Sequence, residues 1–507
     1  MNDSSSRSPG PSLRDPADAA LLRQVLRDAD FTATGVAGRL PAVRGGLRAQ
    51  DLPLYERQVS GTDRLSTLIR LFLLGLPVPI AAAEAALEPL EVRRLKEAMM
   101  LTVADGAVMS LTQLLVVADL LIFGDRDDAM LANPDWVAVS SPTATLLEVL
   151  TIRRPVRSFL DLGCGSGMHA LLATRHSERV TAVDINERAL AFTRFNAQLN
   201  GAADVECVHG SWFDPVSDRS FDTIVSNPPF VVSPETELLF RDSPLPADEL
   251  SRTLVTEAAD HLVDGGFAHI LCNWTLAAGE KWTDPPRRWL SGAGCDAFIL
   301  HFGTEEPMAY AAMWNAPLKA GDPSAFVSAL DRWLDYYRER DIHALCSGAV
   351  IVRRRPADER PWVRTLRLGR LPEDPAGDDL LRLFRNEDWL QAGGSDQRLL
   401  DSTFRLLDRH EVRQILTYSG GMYGSHRCAV AATSGLRVEV AVDPEALQVL
   451  LRLDGSHTLR DIARQVASEL ALDGAALVGK AAAAARELLR NGLIIPQETV
   501  DLRAASV

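Results

Sequence analysis

No apolar run in the 507 residues is long enough to span a bilayer. The longest stretches are residues 71–83, broken by Pro77 and Pro79, and residues 114–123, broken by Asp119; a membrane helix needs roughly 20 apolar residues. The polar start, MNDSSSRSPGPS, lacks the apolar centre of a signal peptide, so a cytoplasmic location without membrane partners is expected. The six cysteines are scattered and form no C-x-x-C pair. That leaves a thiolate zinc site without its spacing and a disulfide framework without a pattern. Among ten histidines there is no H-E-x-x-H, and Gly420-Gly421 with His426 and Cys428 has no ligand spacing, so no metal is expected. A basic excess is missing as well. The formal charge of −15 opposes indiscriminate binding to polyanions. The acidity lies downstream, because residues 1–100 carry 13 Lys/Arg against 12 Asp/Glu.

What is present is a globular composition, at a length that predicts two to four domains. Residues 1–15 read as a disordered lead. Residues 16–130 read as a helical domain, with apolar residues recurring at three and four over 19–26, 63–74, 80–87 and 91–99. Strand-like runs at 101–109 and 114–123 follow. Helices leading into a hairpin suggest a winged-helix-like module whose recognition helix would be 91–99, with Arg93, Arg94 and Lys96; the competing reading of that face is simple solvation. Residues 131–355 alternate strands at 158–162, 179–184, 205–209, 221–226, 267–273, 297–302 and 349–352 with helices that include 187–200, 249–262 and 323–340. Such alternation predicts an α/β domain with a doubly wound, mostly parallel sheet. Residues 356–507 read as an α+β domain with strands at 412–418, 427–432 and 436–442. Helical patterns at 444–453, 458–470 and 474–491, with a turn at Asp454-Gly455, suggest a second winged-helix-like module at its end.

Three motifs carry chemistry. In Phe159-Leu160-Asp161-Leu162-Gly163-Cys164-Gly165-Ser166-Gly167 an apolar strand runs into glycines that open a helix. Glycine is needed there for positive φ and so that a ligand can lie against bare backbone. Asp184 closes the next strand, 23 residues after Asp161, where an ionised carboxylate can accept two hydroxyls at once. These two alone also fit a dinucleotide fingerprint, since Gly165-Ser166-Gly167-Met168-His169-Ala170 matches G-x-G-x-x-A. The third motif, Ser226-Asn227-Pro228-Pro229-Phe230, follows the apolar strand 221–225. An amide or exocyclic amino nitrogen is a poor nucleophile because its lone pair is delocalised. Two fixed acceptors that bind its two N–H groups favour a pyramidal nitrogen. The Asn227 side-chain oxygen can be one and the Pro228 carbonyl the other, its direction held because Pro228 and Pro229 both lock φ. Phe230 offers a face for stacking. The plainer reading of Asn-Pro-Pro-Phe is a turn, and what argues against it is its place after a glycine-rich first strand and an acidic second one.

Residues 159–234 resemble the class I methyltransferases of the small-domain group, which includes HemK-type protein-glutamine methyltransferases and several RNA amino-N-methyltransferases. Val180-Thr181-Ala182-Val183-Asp184-Ile185, Asn196 to Gly201, Gly210-Ser211-Trp212-Phe213-Asp214 and Val225-Ser226-Asn227-Pro228-Pro229-Phe230 look most like the glutamine enzymes. The resemblance implies a Rossmann-like core and S-adenosyl-L-methionine as cofactor. By it, Gly163, Gly165 and Gly167 take the methionine portion and Asp161 helps hold its ammonium. Asp184 holds the ribose, Trp212 flanks the adenine and Ser211 lies near its amino group, with Ile185 and Asn227 also among the cofactor-binding residues. Asn227, Pro228, Pro229 and Phe230 would orient and stack on the acceptor nitrogen.

The chain departs from the glutamine enzymes in three places. Ser141-Pro142-Thr143-Ala144-Thr145 replaces their Pro-Arg-Pro-Glu-Thr-Glu run. Phe230 stands where they carry Tyr, and the flanking domains differ. A nucleobase amino group of RNA or DNA and a glutamine of a protein such as a release factor therefore both stay open as acceptors. A small metabolite, a non-catalytic adaptor and an NAD-dependent oxidoreductase are the further readings.

Overall fold

The computed structural model describes residues 10–13, 15–40, 51–130, 133–356, 359–393 and 395–497. They divide into two compact units, one within 1–147 and 154–366, the other within 148–153 and 367–507. Of the expected disordered lead, residues 1–9 and 14 lie outside the described residues. Residues 10–13 are placed, with the Ser12 N–H on the Ala98 carbonyl at 3.2 Å.

The first unit opens with the helix Pro16–Asp28, capped by Asp15, and continues to the helix Arg64–Leu68, capped by Asp63, which runs into a π-helical turn Ile69–Leu73. A short strand Val78–Pro79, helices Ile80–Leu87 and Val92–Glu97, and strands Leu101–Ala104 and Ala107–Ser110 follow. Val78 pairs with Val108, so the early strand closes a three-stranded sheet around the helices. The two strand-like runs expected from sequence are each a hairpin rather than one strand. Residues 101–110 fold back at Asp105-Gly106, and Thr112–Val117 folds onto Leu120–Asp125 at Ala118-Asp119. All four of these turn residues have positive φ, as a two-residue type I′ turn requires. Asp-Gly signals such a turn in sequence and Ala-Asp does not. The expected recognition helix is six residues long and its arginines are engaged. Arg94 meets Asp18 at 2.5 Å, and Arg93 lies 3.4 Å from Glu91 and 3.2 Å from Glu97.

The rest of this unit is an α/β sheet of eight strands: β1 (Val156–Leu162), β2 (Ser177–Asp184), β3 (Glu206–His209), β4 (Phe221–Ser226), β5 (Leu262–Leu276), β6 (Cys295–Glu305), β7 (Ala344–Arg354) and β8 (Val363–Arg367). Their spatial order is β3-β2-β1-β4-β5-β7-β6-β8. Strands β1 to β5 are parallel, and β7 enters antiparallel between β5 and β6. The doubly wound expectation holds. Gly265-Gly266 form a bulge within β5: the register shifts between Leu262 and Phe267, and a Cβ on Gly266 would meet the Phe221 carbonyl at 3.0 Å. Helices α1 (Met168–Ala173), α2 (Glu187–Asn200), α3 (Glu249–Ala258) and α4 (Asp284–Trp289) connect the strands. Three more, α5 (Pro307–Trp314), α6 (Ala316–Gly321) and α7 (Pro323–Glu339), stand between β6 and β7. No helix of the described residues is long and apolar enough to cross a membrane.

In the second unit the strand Thr403–Leu406 lies between Asp454–Thr458 and Ile494–Pro496, beside helices Pro444–Leu450, Leu459–Leu470 and Gly474–Arg490. The expected turn at Asp454-Gly455 is instead the start of a strand, with Arg405 paired to Asp454. A hairpin His410–Ser419 and Met422–Ala432 carries a third strand, Glu439–Val442. That strand begins three residues later than expected, because Gly435 and Arg437 take positive φ in the turn before it.

Candidate active site

Strand register sets the site. Leu162 on β1 pairs with Val183 on β2 and with Ser226 on β4. Gly163, Asp184 and Asn227 therefore leave the sheet side by side, with neighbouring strands roughly 5 Å apart. Asp184 in turn pairs with His209 at the end of β3, so Gly210, Ser211 and Trp212 emerge at the same edge. Between β1 and β4 the strand order reverses, and ligands of doubly wound sheets bind at such a switch point, beyond the carboxyl ends of the strands.

In the glycine turn Gly163, Gly165 and Gly167 have φ of 76°, 54° and 81°. The three do different work. A Cβ on Gly163 or Gly165 would meet nothing within 4 Å, so both border open space. A Cβ on Gly167 would stand 2.7 Å from the Thr193 methyl, so this glycine lets α2 approach the turn. Thr193, unremarked in the sequence, also donates its hydroxyl to the Gly165 carbonyl at 3.0 Å.

Asp161 is buried, and its Oδ2 accepts the Ala170 N–H at 2.8 Å, in the first turn of α1. Burial pushes its pKa up to about 7, and the nearby Asp184 charge adds to the shift. Burial also raises the pKa of Asp184, opposed by the N–H groups of Asn186 and Gly165. Those donors lie 2.8 Å from Oδ1 and 2.9 Å from Oδ2. Each carboxylate oxygen thus keeps a lone pair for a further hydroxyl. Ile185, beside it, is 56% exposed, high for an isoleucine at the end of a core strand.

Across the turn, Asn227 is half-buried and its side-chain amide has no hydrogen-bond partner among the described residues. Pro228 is buried, and its carbonyl accepts the Phe230 N–H at 2.8 Å, which occupies one of its two lone pairs. Pro229 and Phe230 are half-buried, and the Phe230 ring meets Trp314 edge-on at 6.5 Å. Ser211 and Trp212 are half-buried too, with Trp212 at φ 45°. A bulky residue rarely adopts that conformation, and such strain concentrates at functional positions. All the site residues expected from sequence therefore meet at one edge of the sheet.

A model of the methyltransferase small domain matches residues 136–282, which include every one of those residues. Two further models, each a domain of unknown function, match residues 28–111 and 382–496. A release factor glutamine methyltransferase of Neisseria gonorrhoeae is 39% identical over 150 residues, covering 27% of this chain and 55% of that protein. The one of Gloeobacter violaceus is 31% identical over 236 residues, covering 43% of this chain and 76% of that protein. The chain belongs to the methyltransferase small-domain family. Of the Neisseria protein, and of its Salmonella typhimurium counterpart at 33% identity, the chain spans 55% and 57%, a little over half. Among solved structures a methyltransferase from Pyrococcus furiosus is 25% identical and matches 33% of this chain and 79% of that one, at a TM-score of 0.25; the strand order carries the fold.

Sequence reasoning missed what ties this methyltransferase core to the residues before it. Asn196 on α2 donates to the Ser166 carbonyl at 2.9 Å and to the Phe123 carbonyl at 2.8 Å, and accepts the Phe123 N–H at 2.9 Å. Asn200 serves Leu121 in the same way, at 3.0 and 2.8 Å. Two side-chain amides thus stand in for a neighbouring strand along Leu120–Asp125. The stretch 196–201 resembles the glutamine enzymes, but the sequence points to this role only through the spacing of four between two asparagines on one helix.

Proposed function

We propose that the chain is an S-adenosylmethionine-dependent N-methyltransferase whose acceptor is a glutamine side-chain amide in a protein partner, a release factor being the first candidate. The observation that carries this reading is the Asn227 amide, which has no partner among the described residues and stands level with Gly163 and Asp184 at the switch point. The residues suit the cofactor. Gly163 and Gly165 border open space, Asp184 has acceptor capacity left on both oxygens, and the exposed Ile185 offers an apolar face for an adenine, with Ser211 and Trp212 on the other side of Asp184. Asp161 supplies the carboxylate for an ammonium group. Bound S-adenosylmethionine provides an electrophilic methyl group on a sulfonium.

Everything else is positioning by the chain itself. Asn227 Oδ1 accepts one N–H of the acceptor amide, and the free lone pair of the Pro228 carbonyl accepts the other. Both contacts favour the pyramidal nitrogen over the planar one, and only the pyramidal nitrogen has a lone pair to give. Phe230 fixes the plane of the acceptor by stacking. The methylated nitrogen is acidic and loses its proton without a strong base, so orientation supplies most of the rate. A protein acceptor is favoured over nucleic acid by the −15 charge and by the carboxylates that engage Arg93 and Arg94. A cytoplasmic place of action accords with six free cysteines. The test is peptide mass spectrometry of a purified release factor incubated with the chain and S-adenosylmethionine. One added methyl on a glutamine is the expected result. An unmodified release factor together with methylated RNA would overturn the assignment of the acceptor.

A further inference from the structure

Instead of a direct turn between β6 and β7, the chain places α5, α6 and α7 there, and these helices hold the segment that follows the acceptor motif. The Val232 N–H donates to the Tyr310 hydroxyl at 3.2 Å, and the Tyr337 hydroxyl donates to the Val232 carbonyl at 2.8 Å. The amide of Asn273 on β5 donates to the same Tyr310 oxygen at 2.7 Å, and the Ala247 N–H donates to the Tyr336 hydroxyl at 2.8 Å. Val232, two residues after Phe230, and Ala247 are thereby fixed against the inserted helices.

Between that segment and α5–α6 lies a cleft of about 520 Å³, a size that holds a small ligand or a few residues of an extended chain. Leu238, Phe240, Met313, Trp314 and Leu318 give it an apolar lining. Its charged side chains largely cancel. Arg241 binds Asp242 at 2.6 Å and Glu235 at 3.0 Å, and Arg332 binds Glu235 at 2.8 Å. Glu237 is left over, on the exposed rim. The cleft is continuous with the acceptor motif through Trp314, which lines it and also meets the Phe230 ring at 6.5 Å.

We propose that this cleft receives the uncharged, apolar side chains that flank the acceptor glutamine in a protein substrate. The identity of the acceptor group rests on the methyl-transfer reading above; the preference for an apolar peptide does not. A nucleic-acid strand would carry phosphates past Glu235, Glu237 and Asp242, while the guanidiniums of Arg241 and Arg332 are already engaged. A peptide with acidic flanks would lose hydration against the apolar lining, where the guanidiniums of Arg241 and Arg332 are already engaged.

The test is fluorine NMR of the full chain labelled with 5-fluorotryptophan, the Trp314 signal being assigned with Trp314→Phe. The probes are N-acetyl-Leu-Gln-Leu-amide, N-acetyl-Asp-Gln-Asp-amide and tetraadenylate, each added with S-adenosylhomocysteine present. The leucine peptide shifts the Trp314 signal saturably, and the aspartate peptide and the tetranucleotide bind at least tenfold more weakly. Leu318→Glu and Met313→Glu each remove the response to the leucine peptide, and unchanged binding of S-adenosylhomocysteine shows that the variants are folded. A Trp314 signal that ignores the leucine peptide, that responds equally to both peptides, or that responds best to the tetranucleotide overturns the proposal. Failure of S-adenosylhomocysteine to bind the parent chain overturns the methyl-transfer reading alone; variant folding is then judged by the dispersion of the other tryptophan signals, and the Trp314 response still decides the cleft.

Discussion

Asp161 and Asn227 flank one glycine turn, and the electrostatics asked of them are opposite. Asn227 must offer a neutral acceptor and nothing more. Asn227→Ala should reduce turnover at least a hundredfold while S-adenosylmethionine affinity stays within tenfold, about 1.4 kcal/mol. Steady-state rates beside a binding titration check this, and equal loss of both would remove Asn227 from its role. Asp161 must be charged to hold an ammonium, yet burial lifts its pKa to about 7. Its folded pKa lies above the unfolded value of about 4, so the folded state binds the extra proton. The stability that this group contributes is full below about pH 4 and is lost as pH rises through 7. Cofactor binding runs the other way, since the ammonium requires the carboxylate. S-Adenosylmethionine affinity should therefore rise with pH up to about 7, with proton release detectable in buffers of different ionisation enthalpy. Asp161→Asn should bind more weakly and lose that pH dependence; a pH-independent parent would contradict the role.

At the scale of elements, the motif-bearing strand ends were legible in the sequence because each combines an apolar run with a residue type that backbone geometry demands. The glycines at 163 and 165, the aspartate closing β2 and the Asn-Pro-Pro turn after β4 were read from local pattern alone. The register that sets them level comes from pairing between strands distant in sequence, which no local pattern records. Gly167 was legible for its positive φ, but its second demand, room for Thr193 across the turn, is not local. The hairpin at Ala118-Asp119 was missed because neither residue advertises a positive φ. Nor did the sequence show that Asn196 and Asn200 act as a surrogate strand. Asn196→Ala leaves the buried Phe123 N–H and the Ser166 carbonyl without their partner, which should cost about 2–3 kcal/mol. Urea unfolding checks this, and because Ser166 lies in the glycine turn a loss of cofactor affinity should accompany it. Full stability in the variant would mean that the amides are dispensable.

For the whole molecule, the family match covers residues 136–282 and leaves long segments on either side. On the helix Val92–Glu97 both arginines are held by carboxylates, and with the net charge of −15 this weighs against that helix as a grip on a nucleic-acid backbone. We propose that the switch point between β1 and β4 holds the methyl donor. A dinucleotide is its serious rival, because Gly165 to Ala170 matches the shorter fingerprint too. Isothermal titration of the full chain with S-adenosylhomocysteine and with NADH, side by side, separates the two most directly. Micromolar binding of the first and none of the second is the expected result. Binding of NADH alone would contradict it, and would make the glycine turn a pyrophosphate site and the Asn227 motif a turn.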